Sequence, residues 1–244
     1  MILKDKIDPG KRSFIRVVVF IVLLLFSFRA SSQPLQELTL SGQVKLSGQL
    51  SEISGMVYHD GTVYAINDSW NQAEIYALEF GSFEIKEVFK LGAVVNKDWE
   101  EITIYNEKLY IGDFGNNFGN RRDLSVHIIA LSELRKDDQE IRSVRFSYKD
   151  QVTFSGIPYN HRWDCEAMFV DSSGIHLFSK NRESKTTSRF DLPNNFEDGQ
   201  VSPVSSFNTG FIVTGAFNIN EEGRLYLVGY RNQKTYLVIF NDNC

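Results

Sequence analysis

The sequence predicts an all-β fold, a β-propeller of four-stranded antiparallel blades with about four blades present. Three observations carry this. A strand–turn–strand unit recurs four times between residues 52 and 230. From residue 38 onward short apolar alternations are broken by Gly, Asn and Asp, with almost no helical periodicity. The composition holds 19 Phe and 10 Tyr against 3 Met and 5 Pro. Aromatic side chains suit a pleated, half-buried surface.

The elements follow in chain order. Residues 1–16 carry Lys4, Lys6, Lys11, Arg12 and Arg16, then comes an apolar run over 17–28, then Ala30 and Ser32. A basic start, a short apolar stretch and a small-residue cut make residues 1–32 a secretory signal peptide, cleaved after Ser32. Twelve residues span about 18 Å as a helix, short of a hydrocarbon core of about 30 Å. The expected localisation is therefore secreted or periplasmic, with no membrane insertion after signal removal. No Cys follows the apolar run, which argues against a lipid anchor. Removing the signal takes six basic and two acidic residues from a chain of net charge −5, leaving −9. That acidity, with a pI near 5.5, gives no footprint for nucleic acid. The two cysteines exclude a disulfide-stapled scaffold.

Residues 33–244 form the propeller domain. Its four hairpins are 52–68 around Asp60-Gly61, 98–113 around Asn106-Glu107, 164–180 around 171–174, and 214–230 around 220–223. Asp-Gly and Ser-Gly supply the positive φ that hairpin turns need. Third strands follow at 74–80, 125–131, 187–192 and 235–240. Fourth strands follow at 83–91, 141–148 and, more weakly, 201–207. One short helical turn is expected at 131–136, capped by Ser132. A first strand within 38–50 is placed to complete the fourth blade of a closed ring. The alternative is an incomplete member of a longer propeller, since propellers commonly have 4–8 blades.

In a blade the first strand lines the channel, so its start and the end of the second strand share one face. Glu52, Asp98 with Glu100, and Asp164 with Glu166 stand at strand-one starts; Asn67 with Asp68, Asp113 with Asn116 and Asn117, and Lys180 with Asn181 stand at strand-two ends. Asp-x-Glu on a strand turns both carboxylates to one side. Hard oxygen donors without clustered His or Cys point to calcium or magnesium. The expected cation ligands are Glu52, Asp98, Glu100, Asp113, Asn116, Asp164 and Glu166, with calcium as the cofactor. The same residue types also serve as turn caps and blade-to-blade links. Lys180 and Arg121 or Arg122 are counter-charges and, with Asn181, the expected contacts of an anionic or polar ligand. Trp99 and Trp163 lie close to these clusters and either pack between blades or stack on a ligand. The four His share no metal spacing, Cys165 is not expected to be a thiolate, and no nucleophile, Walker or Rossmann motif occurs.

The run Asp98-Trp99-Glu100-Glu101-Ile102, then Gly112-Asp113-Phe114-Gly115-Asn116-Asn117, Gly119-Asn120-Arg121-Arg122-Asp123, Asp164-Cys165-Glu166-Ala167 and Phe178-Ser179-Lys180-Asn181 resembles secreted bacterial propellers of the phytase-esterase-like and SdiA-regulated type. The resemblance covers about residues 50–240. It implies about six blades, and so favours an incomplete six-bladed propeller over a closed four-bladed ring. The expected function is an exported binding or scaffold module for a small polar ligand or protein partner. The resemblance adds the alternative of a calcium-dependent hydrolase of phosphate or ester bonds.

Overall fold

The computed structural model describes residues 42–154, 156, 161–219 and 223–241. The expected signal peptide at 1–32, residues 220–222 of the expected fourth hairpin turn, and Cys244 lie outside them. The chain divides into residues 1–43 and 44–244, and the second unit holds every element below.

Four sheets stand in a ring, a β-propeller of four blades. The first is β1 (Ile53–His59), β2 (Thr62–Asn67), β3 (Glu74–Glu79) and β4 (Ile85–Lys90); the second is β5 (Trp99–Tyr105), β6 (Lys108–Asp113), β7 (Leu124–Ala130) and β8 (Ile141–Tyr148). In the third, β9 (Asp164–Asp171), β10 (Gly174–Lys180) and β11 (Thr186–Pro193) come first. The chain then leaves as β12 (Gly199–Val201) and returns as β13 (Ser205–Asn208), which pairs antiparallel with β11. The weak strand expected at 201–207 is thus two strands. β12 adds in parallel to the outer edge of β8, where Asp198 accepts from Arg145 N at 2.8 Å. The fourth blade is β14 (Ile212–Ile219), β15 (Arg224–Arg231) and β16 (Lys234–Asn241).

The first three hairpins turn where the sequence predicts. Asp60 and Gly61 have φ of 44° and 79°, Asn106 and Glu107 48° and 58°. Positive φ at both central residues matches the right-handed twist of the strands. The turn at 131–133 is one 3-10 turn, but Ala130 precedes it and no side chain caps it, so Ser132 is not its cap. Residues 42–47 are irregular and 48–50 form a 3-10 turn. Among the described residues, then, no strand within 38–50 completes the fourth blade. Leu46 and Leu50 instead pack against Val63, Ala65, Tyr76 and Leu78 on one face of the first blade.

Three junctions between blades are apolar cores. Ile66, Ile75 and Phe89 meet Trp99, Ile102 and Ile111 between the first and second. Val126, Val144 and Phe146 meet Met168, Leu177 and Phe190 between the second and third. Ala167, Phe169 and Phe178 meet Phe211, Val213 and Leu227 between the third and fourth. The inner strands follow suit: β5 packs on β1 and β9, and β9 on β14, whereas β14 and β1 make no comparable contact. The free face of the fourth blade leaves Phe217, Leu237 and Ile239 exposed. No helix among the described residues is long and apolar enough to cross a membrane.

Candidate cation site at the channel mouth

Each inner strand carries one unpaired residue at the same place. Pairing slips between Ile53 and Gly55, Trp99 and Glu101, Cys165 and Ala167, and Val213 and Gly215. The bulged residues are Ser54, Glu100, Glu166 and Thr214. A bulge re-aims a side chain and bends its strand. All four line one cavity of about 360 Å3, with Ser51, Glu52, Ile53 and Asp68 around them. The mouth is therefore a ring of two carboxylates and two hydroxyls set by one repeated backbone irregularity.

Two carboxylate groups meet there and share Glu100. Oxygens of Asp68, Asp98 and Glu100 lie within 4.8 Å of one another, as do those of Glu100, Asp164 and Glu166. Glu100 is 7% exposed and has neither a hydrogen-bond nor an ion-pair partner among the described residues. Burial first, then the charges of Asp68 and Asp98, hold its carboxyl well above the usual range. Burial and the Asp68 charge push Asp98 up to about 6. Lys180 sits against the second group. Its ammonium donates to Glu166 Oε1 and lies 3.5 Å from Asp164 Oδ2. Burial lowers its pKa, opposed by Asp164 and Glu100.

The loop after β6 closes over the carboxylates. Phe114 is buried in the core and anchors it. Gly115 follows, where a Cβ would stand 2.3 Å from Glu100 Oε1 and 2.4 Å from Asp98 Oδ2. Only a residue without a side chain leaves that space. Arg121 ties the loop down, donating to Gly115 O at 2.8 Å and Asp113 Oδ1 at 2.8 Å. Asp113 in turn accepts from Asp98 N at 3.1 Å. Asn116 holds Asp164 through its backbone N–H at 2.8 Å, while its amide donates to Trp163 O.

Of the expected cation ligands, Asp98, Glu100, Asp164 and Glu166 converge. Asp113 and Asn116 stand behind them as braces, because Arg121 and the loop backbone engage their side chains. Glu52 lines the cavity but belongs to neither group. Asp68 completes the first group. Its place at a strand-two end was legible; its convergence depends on Asn96, whose amide donates to Asp68 O at 2.9 Å and fixes that turn.

The expected ligand contacts are engaged within the protein. Lys180 and Arg121 pair with carboxylates, and Asn181 Oδ1 accepts from Glu183 N and Ser184 N. Trp99 is wholly buried in the junction of the first two blades, so it offers no stacking face. Trp163 packs against Tyr148 with Arg162 over its ring. The exposed indole is that of Trp70, 99% exposed and two residues beyond Asp68.

Glu101, next to the bulge, is also buried, and burial holds its carboxyl well above the usual range. It accepts from Ile102 N at 3.0 Å and from Ala216 N, which links the second blade to the fourth. Cys165 is a free thiol whose pKa burial raises, so it is no thiolate. At the opposite end of the β9–β10 hairpin, His176 lies 2.8 Å from Asp191 and 3.0 Å from Ser173 Oγ. Those distances imitate a nucleophile triad. However, the Ser173 hydroxyl and backbone N–H both donate to Asp171, at 2.6 and 2.7 Å. The group clamps a turn.

No protein-family model matches the chain, and no curated protein sequence does. Solved structures do match. A candidate 6-phosphogluconolactonase from Bacteroides uniformis is 13% identical with a TM-score of 0.43, over 83% of this chain and 56% of its own. The β-propeller domain of Myceliophteria thermophila Cps50 (Swd1) is 10% identical with a TM-score of 0.41, over 80% and 57%. A luciferin-regenerating enzyme is 12% identical with a TM-score of 0.44, over 78% and 59%. The chain spans less than two thirds of the length of each.

Proposed function

We propose that this chain is an exported β-propeller binding module whose channel mouth takes a divalent cation, calcium, and through it a small polar ligand. The observation that carries the reading is Glu100, a buried carboxylate with no partner among the described residues, which faces a cavity and is shared by both acidic groups. The donor set fits a hard cation: carboxylates converge and neither His nor Cys stands among them. Gly115 leaves room beside Glu100 and Asp98. Calcium takes six to eight oxygens, more than three carboxylates supply in single contact, so water or ligand oxygens complete the shell. Ser54 and Thr214 offer hydroxyls to such a ligand from the cavity wall.

The test is thermal unfolding of the wild type and of Asp68→Asn and Asp98→Asn, each in calcium and in chelator. Calcium at a hundredfold excess over Kd stabilises by about 2.7 kcal/mol. The reading expects that gain in the wild type and its loss in both variants. An unchanged wild-type midpoint contradicts it and leaves the carboxylates as links between blades.

A second reading, calcium-dependent hydrolysis of phosphate or ester bonds, is favoured by the cavity that opens beside the first acidic group. An open coordination position is what metal-assisted hydrolysis requires. Turnover of p-nitrophenyl phosphate and p-nitrophenyl acetate, measured with calcium and with chelator, separates the two. Calcium-dependent turnover lost in Asp98→Asn supports hydrolysis; its absence leaves binding.

A further inference from the structure

The two acidic groups at the mouth are not equivalent, and the cation reading above, on which this inference rests, puts an ion at Asp68 and Asp98 without saying what keeps the second group from taking another. Lys180 stands opposite Asp164 in the β9–β10 ladder. In the first blade the corresponding place belongs to Asp68, whose N–H donates to Glu52 O at 2.8 Å. One blade thus presents a carboxylate where another presents an ammonium. The Lys180 side chain is 4% exposed and reaches both Glu166 and Asp164. Its root is fixed: Ser179 accepts from Thr187 Oγ1 at 2.7 Å through its carbonyl and from Ser188 N at 3.1 Å through its hydroxyl. Asp68, Asp98 and Glu100 have no Lys or Arg at ion-pair distance among the described residues.

We propose that Lys180 is a tethered cation filling the group Glu100, Asp164 and Glu166, so that the mouth takes a single divalent ion at Asp68, Asp98 and Glu100. An ammonium and a divalent ion compete for the same carboxylate oxygens. A lysine anchored on a buried strand holds its place without an entropic cost of association. Glu100 then faces the ion on one side and the Lys180 field on the other, which fixes the number of ions at one.

Calorimetric titration of calcium into the full chain at neutral pH counts the ions. One per wild-type chain and two per Lys180→Met chain is the expected result, with a return to one in Lys180→Met combined with Glu166→Gln. Lys180→Gln keeps a hydrogen bond to Glu166 without the charge. It gives the same count of two if the methionine variant does not fold. One ion in the wild type and one in each single variant overturns the inference while the cation reading stands. No ion in the wild type and one in the variants overturns the cation reading at Asp68 while Lys180 keeps its role. Two ions in the wild type, or none in any chain, overturns the inference.

Discussion

The first and third blades put opposite charges at one register position. Asp68 of the first joins Asp98 and Glu100; Lys180 of the third lies between Asp164 and Glu166. Both positions follow the same bulged inner-strand plan, with Lys180 buried and Asp68 half-buried. What separates a self-neutralised group from an open one is a single side chain at the end of a second strand. On the proposed reading, acidic strand starts alone do not make a cation site; the sign of the residue facing them decides.

The largest expected effect breaks the self-neutralised half. Removing one partner of a buried ion pair costs about 3–5 kcal/mol, because the other charge is left uncompensated. Lys180→Met in chelator is expected to lose stability on that scale, read by denaturant unfolding, and calcium is expected to restore most of it. A variant as stable as the wild type in chelator would show that Lys180 compensates nothing.

A smaller effect sharpens the open half. In Gly115→Ala the new Cβ displaces Glu100 and Asp98, with overpacking of about 1–3 kcal/mol. Calcium affinity is expected to fall at least about tenfold, or about 1.4 kcal/mol, with the Lys180 pair untouched. Titration calorimetry checks this, and unchanged affinity would place the ion elsewhere.

The open half also sets a pH dependence. Asp98 is raised from 3.8 to about 6, and Glu100 is raised too. A carboxyl raised on folding contributes stability that is full below the unfolded pKa and lost as pH rises through the folded one. In chelator, Asp98→Asn is therefore expected to gain on the wild type in melting midpoint between about pH 4 and pH 7, and calcium is expected to close that gap. A midpoint difference that stays flat with pH would mean Asp98 is not strained by its neighbours. The smallest effect is at the rim: Trp70→Ala, a fully exposed position, is expected to change stability by no more than about 0.5 kcal/mol and to keep the calcium response.

Much of this was legible in the sequence, and the limits are physical. Hairpins announced themselves through Asp60-Gly61 and their neighbours because turn chemistry is local. Asp98, Glu100, Asp164 and Glu166 were legible because strand period two places Asp-x-Glu on one side. The bulges were not, since a register slip belongs to two strands at once and leaves no mark on either alone. Asp68 therefore read as a strand-end polar group, and Lys180 as a general counter-charge. Trp99 was ambiguous between core and ligand because an aromatic beside a polar cluster reads the same in both settings. The parallel β12 was out of reach: its partner β8 lies some fifty residues earlier in the chain.

Glu100 is the residue both halves share, and Glu100→Gln tests the account most directly. Thermal unfolding at pH 7 of wild type and variant, each in calcium and in chelator, is the measurement. Calcium is expected to raise the wild-type midpoint and leave the variant unmoved, and in chelator the variant is expected to melt no lower than the wild type, because a crowded carboxyl has gone. A variant that answers calcium as the wild type does, or a wild type that does not answer at all, would contradict it.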